Sequence, residues 1–526
     1  MQGSKSLHVS QICCATLWCL LSSGIIFGFA ALKPILISEG IYSEFCLNPE
    51  SNQIDTIIKS AICSAQDLKL NFIFTASAGI TNMMALPVGW ILDTYGPRIT
   101  GIIGSFFLTL GALLFIFHAT FVTFIDPYIS GYIMLSVGGP FVFISCFQLA
   151  NIFPRRSGSV LALLTGAFDS SSALFLGYRV FYQKVNPSFN LSKFFTLYLI
   201  VPLFIFICQV TIMPHESYKT CGNVAKITVE GLDESGHLVE GDDGSMLVPD
   251  PNERELLIAQ LEDDEQREPS QFHRESGIPL GRRKSVLETY VETKLEEKSG
   301  GIFGVLHGYS VIDQLKTPWF YLLLIFAIIS MIRINYFIAT IRSQEEYLLG
   351  DELLASKINE IFDLALPIGG VLSIPFIGVL LDHVKTFNVL KLLSCMSVII
   401  AVLGLIPNSF FLNLIGILVL VIFRPFYYTV ISDYATKVFG FETFGTVYGL
   451  LICISGICNM GQSLLDQLTH TKFDMNPTPV NLGLLLITIF SSGALLIYIN
   501  IQLKKQNRSV NLNDEALEPL SDPHTD

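Results

Sequence analysis

Three ionisable residues, Asp169, Arg333 and Arg424, lie inside stretches too apolar to solvate them. A charge at bilayer depth costs several kcal/mol unless it is paired or wetted, so each marks a candidate functional position. Asp169 lies about 13 residues into its stretch, about 20 Å along a helix and hence near the midplane. Arg424 is similarly deep in its own stretch, and Arg333 sits in the outer half of another. A guanidinium grips a substrate carboxylate through two parallel hydrogen bonds. A buried carboxylate holds an amino group or carries a proton. The competing reading pairs Asp169 with Arg424 as a structural or gating bridge. Tyr427 and Tyr428 follow Arg424, and Phe27 interrupts the Gly24/Gly28 spacing. Such aromatics shape an apolar pocket, or simply pack.

Other chemistries have no foothold. There is no Gly-rich run ending in Gly-Lys-Ser or Gly-Lys-Thr, no HExxH and no nucleophile–base–acid set, so neither ATP-driven pumping nor catalysis is expected. No cofactor or metal is implied. Of the 526 residues, 51% are apolar and only 15% charged, against roughly 25% charged in a soluble domain. Runs such as 482–490 leave no polar face, so lipid must be their solvent. The net charge of -13 resides mostly between Glu216 and Gly300, where about 20 acids face about 10 bases. That composition reads as a solvated loop, and nothing resembles a nucleic-acid footprint.

Spanning the hydrocarbon takes about 20 helical residues. Twelve runs qualify, near 11–32, 70–92, 99–121, 128–151, 158–181, 193–213, 318–341, 359–381, 388–407, 411–433, 443–465 and 481–503. The first lacks a small-residue cleavage site and reads as a continuous first span. The expected organisation is a six-helix bundle over 1–213 and an acidic, largely disordered cytosolic loop over 214–317. A second six-helix bundle follows over 318–503, with a cytosolic tail over 504–526. The excess of Lys and Arg, including Arg98, Lys385, Lys437 and Lys504, puts both termini in the cytosol.

The halves repeat. Pro87, Gly89, Leu92 and Asp93 close span two, and Pro375, Gly378, Leu381 and Asp382 close span eight, with Gly and Asp offset by about 289 residues. Phe153 and Gly158 recur as Phe439 and Gly445 at about 287. Two echoes at nearly one offset point to duplication of a six-span unit in the same orientation.

The turn after span two reads Gly89-Trp-Ile-Leu-Asp93-Thr-Tyr-Gly96-Pro-Arg98. It resembles the loop signature of the major facilitator superfamily, in which it latches the two halves. The resemblance implies an all-α membrane protein with twelve transmembrane helices in two pseudo-symmetric bundles. It implies gating roles for Gly89, Asp93, Gly96 and Arg98, with Asp93 capping a helix terminus and pairing with Arg98. Gly378 and Asp382 form a degraded second copy.

Gly24-Ile-Ile-Phe-Gly28, Gly138-Gly-Pro-Phe141, Thr165-Gly-Ala-Phe-Asp-Ser-Ser-Ser172 and Phe441-Glu-Thr-Phe-Gly-Thr-Val-Tyr-Gly-Leu450 narrow the match. They resemble the solute carrier 43-like branch, which carries large neutral amino acids without sodium, and most of all its fungal members. In the superfamily, spans seven and ten line the central cavity. The implied substrate-binding residues are therefore Asp169, Arg333 and Arg424, lined by Asn335, Tyr336, Tyr427 and Phe27. Asp169 departs from the small uncharged residue of the animal carriers, which leaves proton coupling open beside uniport. A monocarboxylate or other organic ion is an alternative solute. A non-transporting nutrient sensor, docking a partner on its loop, is an alternative class.

Three further signals lie outside the spans. Cys46 and Cys63 flank a polar stretch on the non-cytosolic side, where a disulfide is expected. Glu253, Leu257 and Ile258 fit an acidic dileucine sorting motif, which favours the vacuolar membrane over the plasma membrane and implies a sorting adaptor. Arg282, Arg283 and Lys284 precede Ser285, an arrangement that basophilic kinases favour.

Overall fold

The computed structural model describes residues 2–46, 64–153, 156–215, 218, 296, 299–440 and 442–517. The sorting motif Glu253/Leu257/Ile258, Ser285 and Cys63 lie outside the described residues. The described secondary structure is helical throughout. The first span, α1, comprises Ser6–Ser23 continued by Ile25–Ser38. One helical stretch, Lys69–Ile116, is twice the length a bilayer needs. It divides at Gly96, whose φ of 80° is open to glycine but strained for other residues. Its halves are α2 (64–95) and α3 (97–116). Then come α4 (Pro127–Ile152), α5 (Ser157–Lys184), α6 (Leu191–Thr211), α7 (Pro318–Leu349) and α8 (Glu352–His383). The last four are α9 (Thr386–Leu403), α10 (Phe410–Phe439), α11 (Phe444–Thr471) and α12 (Thr478–Lys505). With that division, twelve spans result among the described residues.

The first span departs from the expectation of an unbroken helix. A π-helical turn over Cys19–Ser23 gives way at Gly24 to a 3-10 turn over Ile25–Gly28 before the α-helix resumes at Phe29. Ser22, Ser23 and Gly24 are the kind of short polar and glycine cluster that bends helices. The bend packs onto a matching break in α5. Gly24 N donates to Ser171 Oγ at 3.0 Å, and Ser171 Oγ donates to Phe168 O at 2.6 Å. A Cβ on Gly24 would lie 2.7 Å from the Phe168 carbonyl, so the two broken helices meet only because this residue has no side chain.

Two seams join the bundles, α2 with α11 and α5 with α8. In the first, the backbones of Gly89 and Gly445 touch so closely that a Cβ on either would overlap the other's carbonyl. In the second, Gly378 lies against Ser159, whose Cα a Cβ there would meet at 2.9 Å. Part of the segment before α7 is folded rather than free. Gly304 N and Leu306 N donate to the carbonyls of Lys437 and Val438, and Gln314 Nε2 donates to those of Leu306 and Phe439.

Candidate functional site

Asp169 sits in the last turn of the inner half of α5, just before the helix breaks at Ser171 and Ser172. Arg424 comes from α10 in the opposite bundle, one residue before Pro425. Their side chains meet across the interface, Arg424 Nη2 lying 3.6 Å from Asp169 Oδ1. Both are buried, with side-chain exposures of 10% and 2%. At that separation the contact is an ion pair without a hydrogen bond, and neither Asp169 oxygen has a hydrogen-bond partner among the described residues. Buried polar groups are nearly always satisfied, so a bare carboxylate beside a guanidinium is a site arranged for something to enter.

Two aromatic rings flank the pair. The Arg424 guanidinium lies 5.7 Å from the centre of the Phe27 ring, within cation–π range. Half-buried Tyr428 is close enough to feel both charges. From the pair a chain of rings crosses the molecule. Phe27 meets Phe168 at 5.9 Å, Phe168 stacks on Phe143 at 4.5 Å, and Phe143 meets Phe147 edge-on at 4.7 Å. Phe147 then reaches the other bundle, touching Phe444 at 5.8 Å and Tyr448 at 5.6 Å. This aromatic floor runs from beside the charged pair to the second bundle.

Below it, two carboxylates bolt the seams. Asp93 accepts from Gly445 N at 2.9 Å, Thr446 N at 2.6 Å and Thr446 Oγ1 at 2.7 Å. Asp382 accepts from Gly158 N at 2.8 Å, Ser159 N at 3.2 Å and Ser159 Oγ at 2.5 Å. Each therefore caps the N-terminus of a helix in the other bundle, α11 and α5, where orphan amides and the helix dipole favour an anion. The second copy of the loop lacks the basic residue of the first, yet its carboxylate makes the same three bonds. Arg98 does not pair with Asp93. Its guanidinium donates instead to the Met213 carbonyl at the end of α6 and lies against His215, tying the turn to its own bundle.

Four of the residues expected at the substrate face elsewhere. Arg333 turns away from the pair, donating to Thr488 Oγ1 of α12 at 3.4 Å and to the Ser397 carbonyl of α9. Tyr336 bonds Thr469 Oγ1 at 2.8 Å and packs on Val480 and Leu484 inside the second bundle. Tyr427 is fully buried, its hydroxyl donating to the Ala327 carbonyl at 2.9 Å. Asn335 points another way, donating to Asn459 Oδ1 of α11 at 3.1 Å, and is only partly buried. Phe27, Asp169 and Arg424 are the expected residues brought together. Tyr428 and the floor of Phe143, Phe147, Phe168, Phe444 and Tyr448 complete the site. The sequence offered a signal for Tyr428, its place beside Tyr427 one helical step from Arg424. For the rings of the floor it offered none beyond high Phe content. Beyond the site, in the segment between α1 and α2, Cys46 is disulfide-bonded.

No family model matches the chain. It is 61% identical over 503 residues to Protein FMP42 of Saccharomyces cerevisiae, covering 96% of this chain and 97% of that one. It is 23% identical over 519 residues to Equilibrative nucleobase transporter 1 of Bos taurus, covering 93% and 96%. With the human Large neutral amino acids transporter small subunit 3 it shares 30% identity over 176 residues, 32% of this chain and 31% of that one. Among solved structures, the major facilitator superfamily proton:xylose symporter XylE superposes with a TM-score of 0.54 at 13% identity, covering 92% and 95%. That likeness is one of fold.

Proposed function

We propose that the chain, which belongs to the family of the yeast protein FMP42 and has the major facilitator fold, is a membrane transporter that carries a neutral amino acid by alternating access. The observation that carries this reading is the bare Asp169 carboxylate 3.6 Å from Arg424, buried between the bundles under a partial aromatic wall. A zwitterion fits such a pair in one sense only, its carboxylate on the guanidinium of Arg424 and its ammonium on Asp169. Its apolar side chain would then lie against Phe27 and Tyr428. The human amino acid transporter that matches a third of the chain supports the same substrate class.

Alternating access follows from where the bundles are bolted. Asp93 and Asp382 hold both seams closed on the cytosolic side, with the aromatic floor above them. The substrate enters from the opposite side, takes over the bonds of Asp169 and Arg424, and releases the two bundles from each other. Rocking then breaks the two carboxylate caps, Gly89 and Gly378 let the seams part and reclose without side-chain interference, and Gly96 keeps the α2–α3 turn that carries Asp93. A proton delivered to Asp169 would likewise release Arg424, so the same residue couples transport to a pH gradient. The acidic dileucine at Glu253, Leu257 and Ile258 directs this activity to the vacuolar membrane through a sorting adaptor. Kinase action at Ser285 would regulate it.

A second reading is favoured by the bovine relative, which matches over nearly its whole length and is named a nucleobase transporter. A planar base could stack on Phe27 or Tyr428 and hydrogen-bond along one edge to Arg424 and Asp169. Counterflow in proteoliposomes decides between them. Vesicles loaded with unlabelled leucine, phenylalanine, adenine or guanine are diluted into each labelled solute, with and without an imposed pH gradient. Exchange of leucine or phenylalanine supports the amino acid reading; exchange confined to the bases replaces it with the second. Exchange of neither by folded protein removes both.

A further inference from the structure

Arg333 is a buried cation that the transport site does not use. Its exposure is 8%, and no ion pair involves it among the described residues. Its guanidinium carries five N–H donors. The bonds found for it are the long one to Thr488 Oγ1 and the one to the Ser397 carbonyl. A buried guanidinium without a counter-charge is strongly unfavourable in a hydrocarbon setting, where neutral acceptors recover only part of the lost hydration.

The side chains around it share a second irregularity. The hydroxyls of Ser330, Ser397 and Ser492 are buried and have no hydrogen-bond partner among the described residues. They come from three helices, α7, α9 and α12, and each is tied to Arg333 by position. Ser330 precedes Arg333 by three residues, on the same face of α7. Ser397 supplies the carbonyl that Arg333 reaches. Ser492 lies one turn beyond Thr488, the other partner of Arg333. Their exposures are 2%, 1% and 4%, so bulk water does not satisfy them. Ser491 and Ser394, nearby on the same helices, are satisfied by the Thr488 and Leu390 carbonyls.

A guanidinium and three hydroxyls make a donor set with one missing partner, a negatively charged acceptor. We propose that this cluster binds a small monovalent inorganic anion of the halide class, held between α7, α9 and α12 inside the second bundle. The anion neutralises Arg333 and accepts from the Ser330, Ser397 and Ser492 hydroxyls. It fastens α9 and α12 to α7, the span that also carries Asn335 toward α11. The site is separate from the Asp169/Arg424 pair and does not depend on which solute is carried.

The test is thermal stability of the purified full-length protein, with chloride or bromide replaced stepwise by gluconate at constant ionic strength. Wild-type protein should gain melting temperature with halide and saturate. Arg333→Gln should lose the response. Ser397→Ala/Ser492→Ala keeps the cation and should shift the halide midpoint upward by at least about 100-fold, as expected for two lost hydrogen bonds to a charged acceptor. In bromide-soaked crystals an anomalous peak should lie beside Arg333. A wild-type melting temperature indifferent to halide overturns the proposal. So does a halide response undiminished in both variants, or a bromide peak elsewhere in the bundle.

Discussion

Removing the Asp382 carboxylate should loosen the cytosolic seam as much as removing that of Asp93, although only the Asp93 turn carries the full loop signature. Each side chain accepts two backbone N–H bonds and one hydroxyl bond from a helix start in the opposite bundle. Losing an N-cap costs about 1 kcal/mol, and hydrogen bonds to a charged group are each worth about 1.5–3 kcal/mol before water replaces them. Discounting for that replacement, about 2 kcal/mol should leave the closed cytosolic state in either Asp93→Ala or Asp382→Ala. At 1.4 kcal/mol per decade this is about a 30-fold shift in the ratio of closed to open. The two caps lie on separate seams, so the double variant should shift it by about the product. Spin labels at Tyr95, at the end of α2, and at Tyr309, in the segment before α7, both exposed, would report the populations as a distance distribution. A second, longer distance should grow in both single variants to a similar extent. If Asp382→Ala leaves the distribution unchanged while Asp93→Ala shifts it, equal bond geometry does not mean equal hold, and the reasoning fails.

Other outcomes follow from the same geometry. Tyr427→Phe should cost about 1 kcal/mol of stability through the lost Ala327 bond and leave the KM for substrate unchanged, whereas Tyr428→Ala should raise KM; melting curves beside uptake kinetics separate the two. Phe147→Ala removes the ring that reaches Phe444 and Tyr448, and should allow solute to leak through vesicles in the absence of counter-substrate. Asp169→Asn should abolish any acceleration of uptake by an imposed pH gradient; acceleration that survives it would remove Asp169 from proton coupling. Non-reducing peptide mapping should find Cys46 linked to Cys63, and a link from Cys46 to any other cysteine would refute that pairing.

Much of the architecture could be read because hydropathy averages over a whole span. Twelve apolar runs and the Gly89/Asp93 and Gly378/Asp382 echo survive errors of several residues at each boundary. Depth could be read as well, which is why Asp169 and Arg424 emerged as a pair. Rotation about a helix axis could not. Arg333 and Asn335 differ by about 200° around α7 and Tyr427 and Tyr428 by about 100° around α10. In spans apolar on all sides, no polar face shows which way either pair points. The sequence singled out Arg333 and Tyr427, and the structure turns both into the second bundle. The break in α1 escaped for another reason. Ser22, Ser23 and Gly24 are too few to lower the hydropathy of a long run, and only their contact with the α5 break at Ser171 makes the bend stable.

The most direct test offers the reconstituted protein leucine beside two analogues of the same side chain, one lacking the ammonium (4-methylpentanoate) and one lacking the carboxylate (isoamylamine). Initial uptake rates are compared in wild-type, Asp169→Asn and Arg424→Gln proteoliposomes. If Asp169 and Arg424 each hold one end of a zwitterion, wild-type protein should prefer leucine by at least about 100-fold, because either analogue leaves one buried charge unpaired. Asp169→Asn should narrow the gap for the acid, and Arg424→Gln for the amine. Equal uptake of all three solutes, or selectivity unchanged in both variants, would contradict the claim that this pair reads the substrate.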